Sequence, residues 1–190
     1  LAGGEPDVVH VNVLSAEPRR WDGWWMAVFP GGFANGDDLG AGRILATQVR
    51  AAMRTPIDRF LDRGGRLLGI CNGFQTLVKA GLLPGWTRWE TGLISLTNNT
   101  HHRFECRTVP LRTQGDALDW TAGLGTCRFP VAHAEGRLVG RDDEVIARLE
   151  RDHLVAFRYG RAANPGYPDN PNGSTNDIAG LVDPTGRILG

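Results

Sequence analysis

Cys71 stands between two glycines, Gly69 and Gly73, at the point where an apolar run changes into a helical pattern. Residues 66–70 (RLLGI) predict a buried strand, and the apolar residues that follow keep helical spacing up to Gly81. The cysteine is therefore expected at a sharp strand-to-helix turn, the arrangement of a nucleophile elbow. A helix N-terminus stabilises a thiolate, lowers the pKa of a cysteine and supplies N–H groups to a developing oxyanion. The alternative is a buried cysteine acting as a small hydrophobic side chain.

A glycine-rich stretch at residues 30–38 (PGGFANGDD) follows residues 24–29 (WWMAVF), which predict a strand covered on both faces. Turns of this kind place backbone N–H groups at the carboxyl edge of an α/β sheet, where ligands bind. Gly31 or Gly32 is therefore a candidate for a second oxyanion donor, although a plain strand-to-helix turn has the same composition. No Gly-Lys-Ser/Thr follows, so the stretch is not a phosphate-binding P-loop.

The order of elements in the first half predicts an α/β fold. Asp38 is expected to cap a long helix that breaks at Thr55-Pro56, and a second helical segment ends at Gly64-Gly65. A strand–helix–strand–helix order implies parallel strands joined by right-handed crossovers. A further strand is predicted over residues 7–13 (DVVHVNV), which alternate and are β-branched.

The second half is predicted to contain strands and one long ordered loop. Strands are expected within residues 92–109, 129–139 and 154–159, the loop over 164–176, and a closing hairpin from 178–182 and 187–189. His101, His102 and Cys106 raise the possibility of a metal site. No second cysteine pair stands at ligand spacing, however, so no metal is predicted.

Length and composition limit the classes of protein to which this chain can belong. The 190 residues suffice for one domain, and the formal net charge of zero gives no attraction to nucleic acid or anionic lipid. No apolar run reaches membrane-spanning length. Three widely spaced cysteines offer no disulfide framework, which favours a reducing compartment, the cytoplasm. The chain starts at Leu1 and stops at Gly190 as an apolar run begins, so a fragment is expected.

Several motifs now carry a resemblance to a known family. Residues 69–75 (GICNGFQ) are similar to the nucleophile segment of the class I, or triad, glutamine amidotransferases. The narrower resemblance is to the glutaminase subunit of phosphoribosylformylglycinamidine synthase, an enzyme of purine synthesis. It is carried by residues 30–44 (PGGFANGDDLGAGRI), 103–107 (RFECR), 133–137 (HAEGR), 167–174 (YPDNPNGS) and 178–180 (IAG). The family implies a flavodoxin-like α/β fold, an open and mostly parallel sheet with helices on both faces.

The resemblance also implies a reaction. Cys71 would attack the side-chain amide of glutamine, release ammonia and leave a glutamyl thioester that water hydrolyses. The backbone N–H groups of Asn72 and of Gly31 or Gly32 would form the oxyanion hole, and Gln75 would help to hold the substrate. Ammonia would pass to a separate synthetase subunit, which uses ATP and Mg²⁺ to convert formylglycinamide ribonucleotide to its amidine. This subunit itself is expected to need no cofactor, and a small accessory subunit is a further candidate partner.

The departures from the family concern the catalytic base. In the family, the histidine and glutamate of the triad lie in a Pro-His-Pro-Glu segment that would follow Gly190. The chain is therefore expected to be a single amidotransferase domain, residues 1–190, without its first strand and without that segment. His133 and Glu135 have the same H-x-E spacing and form an alternative base pair, although the resemblance places them in a different segment.

Two other functions stay open from the sequence. A non-catalytic relative would keep the fold and the partner surface but lack the base. Another cysteine hydrolase on the same architecture would use the same elbow on a different acyl substrate. The motifs at residues 30–44 and 167–174 argue for the amidotransferase and against this last alternative.

Overall fold

The strand that precedes Cys71 lies at the centre of a three-stranded parallel sheet. Its order is β1 (Met26–Phe29), β2 (Arg66–Gly69) and β9 (Ile188–Leu189), and both pairings are parallel. Leu67 of β2 is fully buried. The structure is a computed structural model, which describes residues 3–32, 40–114 and 119–190. The strand predicted over residues 66–70 is therefore confirmed, although it ends at Gly69 and Ile70 is 50% exposed.

Three helices accompany the parallel strands: α2 (Arg43–Ala52), α3 (Arg54–Asp62) and α4 (Asn72–Ala80). The predicted break between the first two helices is confirmed, although it falls at Met53, slightly before the predicted Thr55-Pro56. The end of α4 at Gly81 is also confirmed, since this glycine has a left-handed φ of 80°. In the described part of the chain, the helices are too short or too polar to cross a membrane.

The start of α2 differs from the prediction. The helix begins at Arg43, and Gly42, with a φ of 73°, occupies the N-cap position. A Cβ on Gly42 would lie 2.9 Å from the backbone nitrogen of Thr76, so the residue before α2 packs directly on α4. The predicted cap, Asp38, lies outside the described residues.

Close packing of α4 on β1 depends on glycine. A Cβ built on Gly73 would lie 1.9 Å from the carbonyl oxygen of Phe29, a distance that no side chain tolerates. A Cβ on Gly69 would lie 2.6 Å from a methyl carbon of Leu77. The helix backbone therefore approaches both strands more closely than any other residue would allow, and this approach sets the position of the turn between β2 and α4.

The remaining strands are antiparallel and form two further sheets. One is a two-stranded sheet, in which β3 (Ile94–Thr97) pairs with β6 (Arg137–Gly140). The other is a four-stranded sheet with the order β5 (Thr126–His133), β4 (Glu105–Thr113), β7 (Val155–Tyr159) and β8 (Ile178–Leu181). The predicted α/β class, a parallel sheet with helices, is confirmed. The sequence did not indicate that the second half would pair separately from the parallel sheet.

The closing hairpin joins the two kinds of sheet. Leu181 and Gly190 exchange backbone hydrogen bonds of 2.8 and 2.9 Å, and the N–H of Asp183 donates to the carbonyl of Ile188 at 3.0 Å. β8 pairs with β7, whereas β9 pairs with β2. The hairpin predicted from residues 178–182 and 187–189 is thus confirmed, and it fixes the antiparallel sheet against the strand that leads to Cys71.

The strand predicted over residues 7–13 is wrong. Residues 4–10 form no regular element, and α1 (Val11–Ala16) follows, with the Nδ1 atom of His10 accepting a hydrogen bond from the N–H of Asn12 at 3.2 Å. Val8 is 97% exposed. β-Branched residues favour a strand only where a neighbouring strand and a buried face are available, and this segment has neither in the described part of the chain.

Two further differences concern exposure and a missed element. The sequence predicts a strand over residues 24–29 that is covered on both faces, but Val28 of β1 is 49% exposed and Trp25, just before β1, is 70% exposed, so the covering is incomplete. Helix α5 (Asp143–Arg151) was not predicted. Its N-cap residue is Asp142, whose carboxylate accepts a hydrogen bond from the N–H of Val145 at 2.9 Å. Aspartate is a preferred N-cap residue, so the sequence does contain a signal for the start of this helix.

Substitution of Gly73 tests the close approach of α4 to β1. Gly73→Ala should lower the free energy of unfolding by roughly 2–3 kcal/mol, because its Cβ would overlap the Phe29 carbonyl and force the helix outward. Urea denaturation measures the effect. Gly23→Ala is the matched control, since a Cβ there meets nothing within 4 Å and should leave stability nearly unchanged. Equal stability of the two variants would contradict this account of the packing.

Candidate functional site

The turn at Cys71 has the backbone of a nucleophile elbow. Cys71 has φ 51° and ψ −107°, occupies the N-cap position of α4 and is exposed. The N–H of Gly73 donates to the carbonyl of Ile70 at 2.9 Å, and the N–H of Gln75 donates to that of Cys71 at 3.0 Å. A non-glycine residue in this region of φ and ψ carries strain of roughly 1–3 kcal/mol, which persists only where the surrounding packing imposes it.

The start of the glycine-rich stretch lies directly against this elbow. A Cβ built on Gly31 would be 3.4 Å from the Cβ of Cys71 and 3.6 Å from the carbonyl oxygen of Ile70. Gly32 has a φ of 132°, which favours glycine. The predicted closeness of the glycine-rich stretch to Cys71 is thus present in the structure at Gly31. Residues 33–39, the rest of this motif, lie outside the described residues.

Gln75 points from the first turn of α4 toward the β5–β6 turn. Its Nε2 atom donates to the carbonyl of Glu135 at 2.6 Å, and its Oε1 accepts from the side-chain amide of Asn72 at 3.2 Å. Both side chains are buried. Gln75, which is predicted to hold the substrate, therefore also links α4 to the H-x-E segment at residues 133–135. The structure thus brings this segment close to the elbow.

The carboxylate of Glu135 faces the residues before α2. Its Oε2 atom accepts a hydrogen bond from the backbone N–H of Ala41 at 3.0 Å and lies 4.0 Å from the Nζ atom of Lys79. Lys79 in turn donates to the carbonyl of Ala41. Glu135 thus connects the β5–β6 turn to α2 and α4.

A groove of about 750 Å³ runs alongside this contact. Its charged lining residues are Glu135 and four cations, namely Arg43, Arg50, Lys79 and Arg141. Arg50 donates to the carbonyls of Ala80 and Trp89 at 2.7 and 2.8 Å and so also closes the C-terminus of α4. The groove is large enough for an amino acid and favours a ligand with a carboxylate.

His133 is buried at the end of β5, with 9% of its surface exposed. Its Nε2 atom lies 3.5 Å from the side-chain nitrogen of Asn172, and a Cβ on Gly136 would lie 2.5 Å from its Nδ1 atom. Burial lowers the pKa of the His133 imidazole below its ordinary value, so the ring is neutral at pH 7. The neighbouring residue, Ala132, accepts a hydrogen bond from the Cys71 thiol through its carbonyl at 3.5 Å.

Tyr159 is a residue of this centre that the sequence did not indicate. Its ring is buried, and its hydroxyl oxygen accepts a hydrogen bond from the side-chain amide of Asn172 at 3.1 Å. Burial raises the pKa of the Tyr159 hydroxyl to about 12, and the negative charge of Cys71 adds to the increase. A tyrosine at a strand end gives no sequence signal of this role, because its partner Asn172 is brought in from a distant loop.

The motif at residues 167–174 supplies that partner. Asn172 is fully buried, and its carbonyl accepts hydrogen bonds from the N–H and hydroxyl of Thr100 at 3.0 and 2.8 Å. Its Oδ1 accepts from the N–H and hydroxyl of Ser174 at 3.0 and 2.7 Å. The loop predicted over residues 164–176 is therefore held by its own polar side chains, apart from a short 3₁₀ turn at Thr175–Asp177.

His101, one of the candidate metal ligands, has other side-chain partners. His101 lies 3.0 Å from Glu105 through its Nε2 atom and 2.9 Å from the carbonyl of Pro171. Glu105 also pairs with Arg107, whose guanidinium stacks 4.5 Å from the centroid of the Tyr167 ring. Within residues 3–32, 40–114 and 119–190, no group of three or more His, Cys, Asp and Glu residues is arranged to hold a metal.

Comparison with known proteins agrees with this geometry. The family profile of the CobB/CobQ-like glutamine amidotransferase domain matches residues 1–190. The chain is 46% identical over 190 residues to the phosphoribosylformylglycinamidine synthase subunit PurQ of Dehalococcoides mccartyi, covering 100% of this chain and 73% of that protein. It is 38% identical over 195 residues to the PurQ subunit of Methanococcus maripaludis, covering 100% of this chain and 71% of that protein.

A solved structure supports the same assignment. The chain superimposes with a TM-score of 0.65 and 29% sequence identity on a chain from the structure of PurLQS from Thermotoga maritima, covering 89% of this chain and 68% of that one. The resemblance inferred from the sequence motifs is thereby confirmed. The chain belongs to the family of CobB/CobQ-like glutamine amidotransferase domains and, within it, to the PurQ subunits of phosphoribosylformylglycinamidine synthase.

Proposed function

We propose that Cys71 is the nucleophile of a glutaminase that supplies ammonia for the conversion of formylglycinamide ribonucleotide to formylglycinamidine ribonucleotide. The observation that carries the proposal is the strained turn at Cys71, with Gly31 in contact with it. A solvent-exposed sulfur at a helix N-terminus is accessible to a substrate. The PurQ relatives carry the name of the enzyme that performs this conversion.

The proposed reaction begins at the elbow. The Cys71 thiolate attacks the side-chain carbonyl carbon of glutamine, and the carbonyl oxygen gains negative charge. The backbone N–H groups of Asn72 and of Gly31 or Gly32 are the proposed donors to that oxygen. The C–N bond then breaks, the amine takes a proton and leaves as ammonia, and a glutamyl thioester remains. Water attacks the thioester, which releases glutamate and restores the thiol.

The substrate is proposed to enter along the groove that Glu135 lines, next to the contact between Gln75 and the carbonyl of Glu135. Gln75 would help to hold glutamine, while the cations of the groove favour the α-carboxylate of an amino acid. Lys79, one of these cations, has its Nζ atom 4.0 Å from the carboxylate of Glu135.

The ammonia is proposed to pass to a synthetase subunit in the cytoplasm. The neighbouring structure is a PurLQS assembly, which supports a complex with a synthetase and with a small accessory subunit. ATP and Mg²⁺ would act in the synthetase, and this subunit would need no cofactor. None of the three cysteines, all of which lie within the described residues, forms a disulfide.

His133 and Glu135, the alternative base pair, are better explained by a structural role. A base pair of this kind needs the carboxylate to orient the imidazole and the imidazole to face the nucleophile. Here the Glu135 carboxylate accepts from Ala41, and the two ring nitrogens of His133 face Asn172 and Gly136. We therefore assign these two side chains to holding the β5–β6 turn rather than to proton transfer.

The central test uses the full-length protein with its synthetase partner. Cys71→Ser should lower glutamine-dependent product formation by a factor of about 10³ or more, while activity with added ammonium salt should persist. Release of glutamate from glutamine is measured in the same samples. Cys106→Ser is the matched control and should retain wild-type activity, since Cys106 is exposed on β4. Normal glutamate release by Cys71→Ser would refute the proposed nucleophile. If the wild-type complex released no glutamate from glutamine, a non-catalytic subunit would be favoured instead.

Glu135→Gln tests the alternative base. Glutamine can still accept the hydrogen bond from Ala41 but cannot orient an imidazolium, so glutaminase activity should stay within about tenfold of wild type. Glutamate release at saturating glutamine is the measurement. A loss of glutaminase activity by a factor of about 10³ or more, with an unchanged thermal melting curve, would indicate that Glu135 takes part in catalysis.

The burial of His133 predicts a dependence of stability on pH. Because the pKa of His133 is lowered in the folded state, the unfolded chain binds a proton more readily as the pH falls below about 6.5. The free energy of unfolding should therefore decline between about pH 7.5 and pH 5.5, and less steeply in His133→Gln. Urea denaturation across this range measures it, with the exposed His153→Gln as control. Parallel curves for wild type and His133→Gln would contradict the prediction.

A further inference from the structure

Asn99, in the loop after β3, is a buried side chain whose position is fully determined by its hydrogen bonds. None of its surface is exposed. Its Nδ2 atom donates to the carbonyls of Arg103 at 2.8 Å and of His133 at 3.0 Å, and its Oδ1 accepts from the N–H of Gly136 at 3.1 Å. Because carbonyls only accept and the N–H only donates, the amide has a single possible orientation.

These bonds hold the β5–β6 turn at successive residues. Besides the carbonyl of His133 and the N–H of Gly136, the turn is held at Ala134, whose carbonyl accepts from the backbone N–H of Asn99 at 2.8 Å. Asn172 adds a bond of 2.8 Å to the carbonyl of Gly136. Buried groups of this kind are costly to leave unpaired, so loss of the Asn99 amide should release the N–H of Gly136 from its fixed direction.

The peptide unit between Glu135 and Gly136 connects Asn99 to the elbow. This peptide bond is trans, so its N–H and its carbonyl point to opposite sides. The N–H faces the amide of Asn99. The carbonyl, which belongs to Glu135, therefore faces the other way, where it accepts from the Nε2 atom of Gln75 at 2.6 Å. Asn99 thus fixes the direction of the group that Gln75 binds.

The carbonyl of Glu135 in turn fixes the amide of Gln75. Since a carbonyl only accepts, the nitrogen of the Gln75 amide must face it, and Oε1 faces Asn72, from which it accepts at 3.2 Å. Gln75 is buried in the first turn of α4, the helix that begins directly after Cys71. Its amide therefore reaches the site in one orientation, which the β5–β6 turn imposes.

We propose that Asn99 is a positioning residue for the substrate: through the Glu135–Gly136 peptide, it sets the orientation in which Gln75 meets glutamine. The inference rests on the proposed function, because it takes Gln75 to hold the substrate. Asn99 acts on the binding of glutamine rather than on the attack by Cys71. Its loss should therefore raise KM for glutamine far more than it lowers kcat.

The test uses Asn99→Ala in the full-length protein assembled with its synthetase partner. KM for glutamine, from glutamate release, should rise roughly tenfold, because the Glu135 carbonyl no longer keeps one direction. The value of kcat should stay within about threefold of wild type. Product formation with an added ammonium salt, which bypasses Gln75, should match wild type. An unchanged KM would overturn the role of Asn99.

A control separates this role from a loss of stability. Asn99→Ala removes buried hydrogen bonds and should lower the melting temperature. Ile57→Ala, which empties a fully buried position on α3, should also lower it but leave KM for glutamine unchanged. If Asn99→Ala melts below the assay temperature, Asn99→Ser takes its place with the same expected rise in KM, because its shorter side chain also withdraws the acceptor from Gly136.

A double-mutant cycle tests whether Asn99 acts through Gln75. Gln75→Ala should itself raise KM, and adding Asn99→Ala should then change KM by less than about twofold, because the residue to be oriented is already gone. Effects on KM that multiply in the double variant, or a wild-type KM in Gln75→Ala, would overturn the inference while leaving the glutaminase intact. A wild-type complex that releases no glutamate would overturn the proposed function itself, and the inference with it.

Discussion

The backbone of α4 approaches β1 to a distance that only glycine permits, and the site depends on this approach. Gly73 leaves no room for a Cβ beside the Phe29 carbonyl, and Gly69 leaves none beside Leu77. The chain between β2 and α4 must therefore turn within two residues, Ile70 and Cys71, and the strain falls on Cys71, with its φ of 51°. Close packing thus supplies the strain, exposes the sulfur and aligns the first turn of the helix with it.

The antiparallel half of the molecule supplies the surroundings of that turn. The β5–β6 turn reaches α4 through Gln75, and the loop that carries Asn172 reaches the same region through Tyr159 and His133. These contacts are hydrogen bonds between buried or partly buried groups, which are costly to leave unpaired and therefore specify one arrangement. The hairpin between β8 and β9 then fixes this half to the strand before Cys71.

Much of the fold near the nucleophile could be predicted from the sequence because its signals are local. The apolar run before Cys71, the helical spacing after it and the glycine at its end each depend on neighbours within a few residues. The prediction over residues 7–13 failed because strand formation depends on a partner strand, which no local pattern reveals. Helix α5 has a local signal of the same kind, because Asp142 directly before it is a recognisable N-cap residue.

The sequence by itself determined the type of turn, the identity of the nucleophile candidate and the family, since these follow from residue types at fixed spacing. Only the tertiary structure decided which distant side chains meet that turn. The H-x-E spacing of His133 and Glu135 suggested a base pair, yet Glu135 faces Ala41 and His133 faces Asn172. Tyr159 carried no signal at all. Spacing along the chain constrains neighbours on one element, whereas contacts between sheets are set by how their buried faces pack.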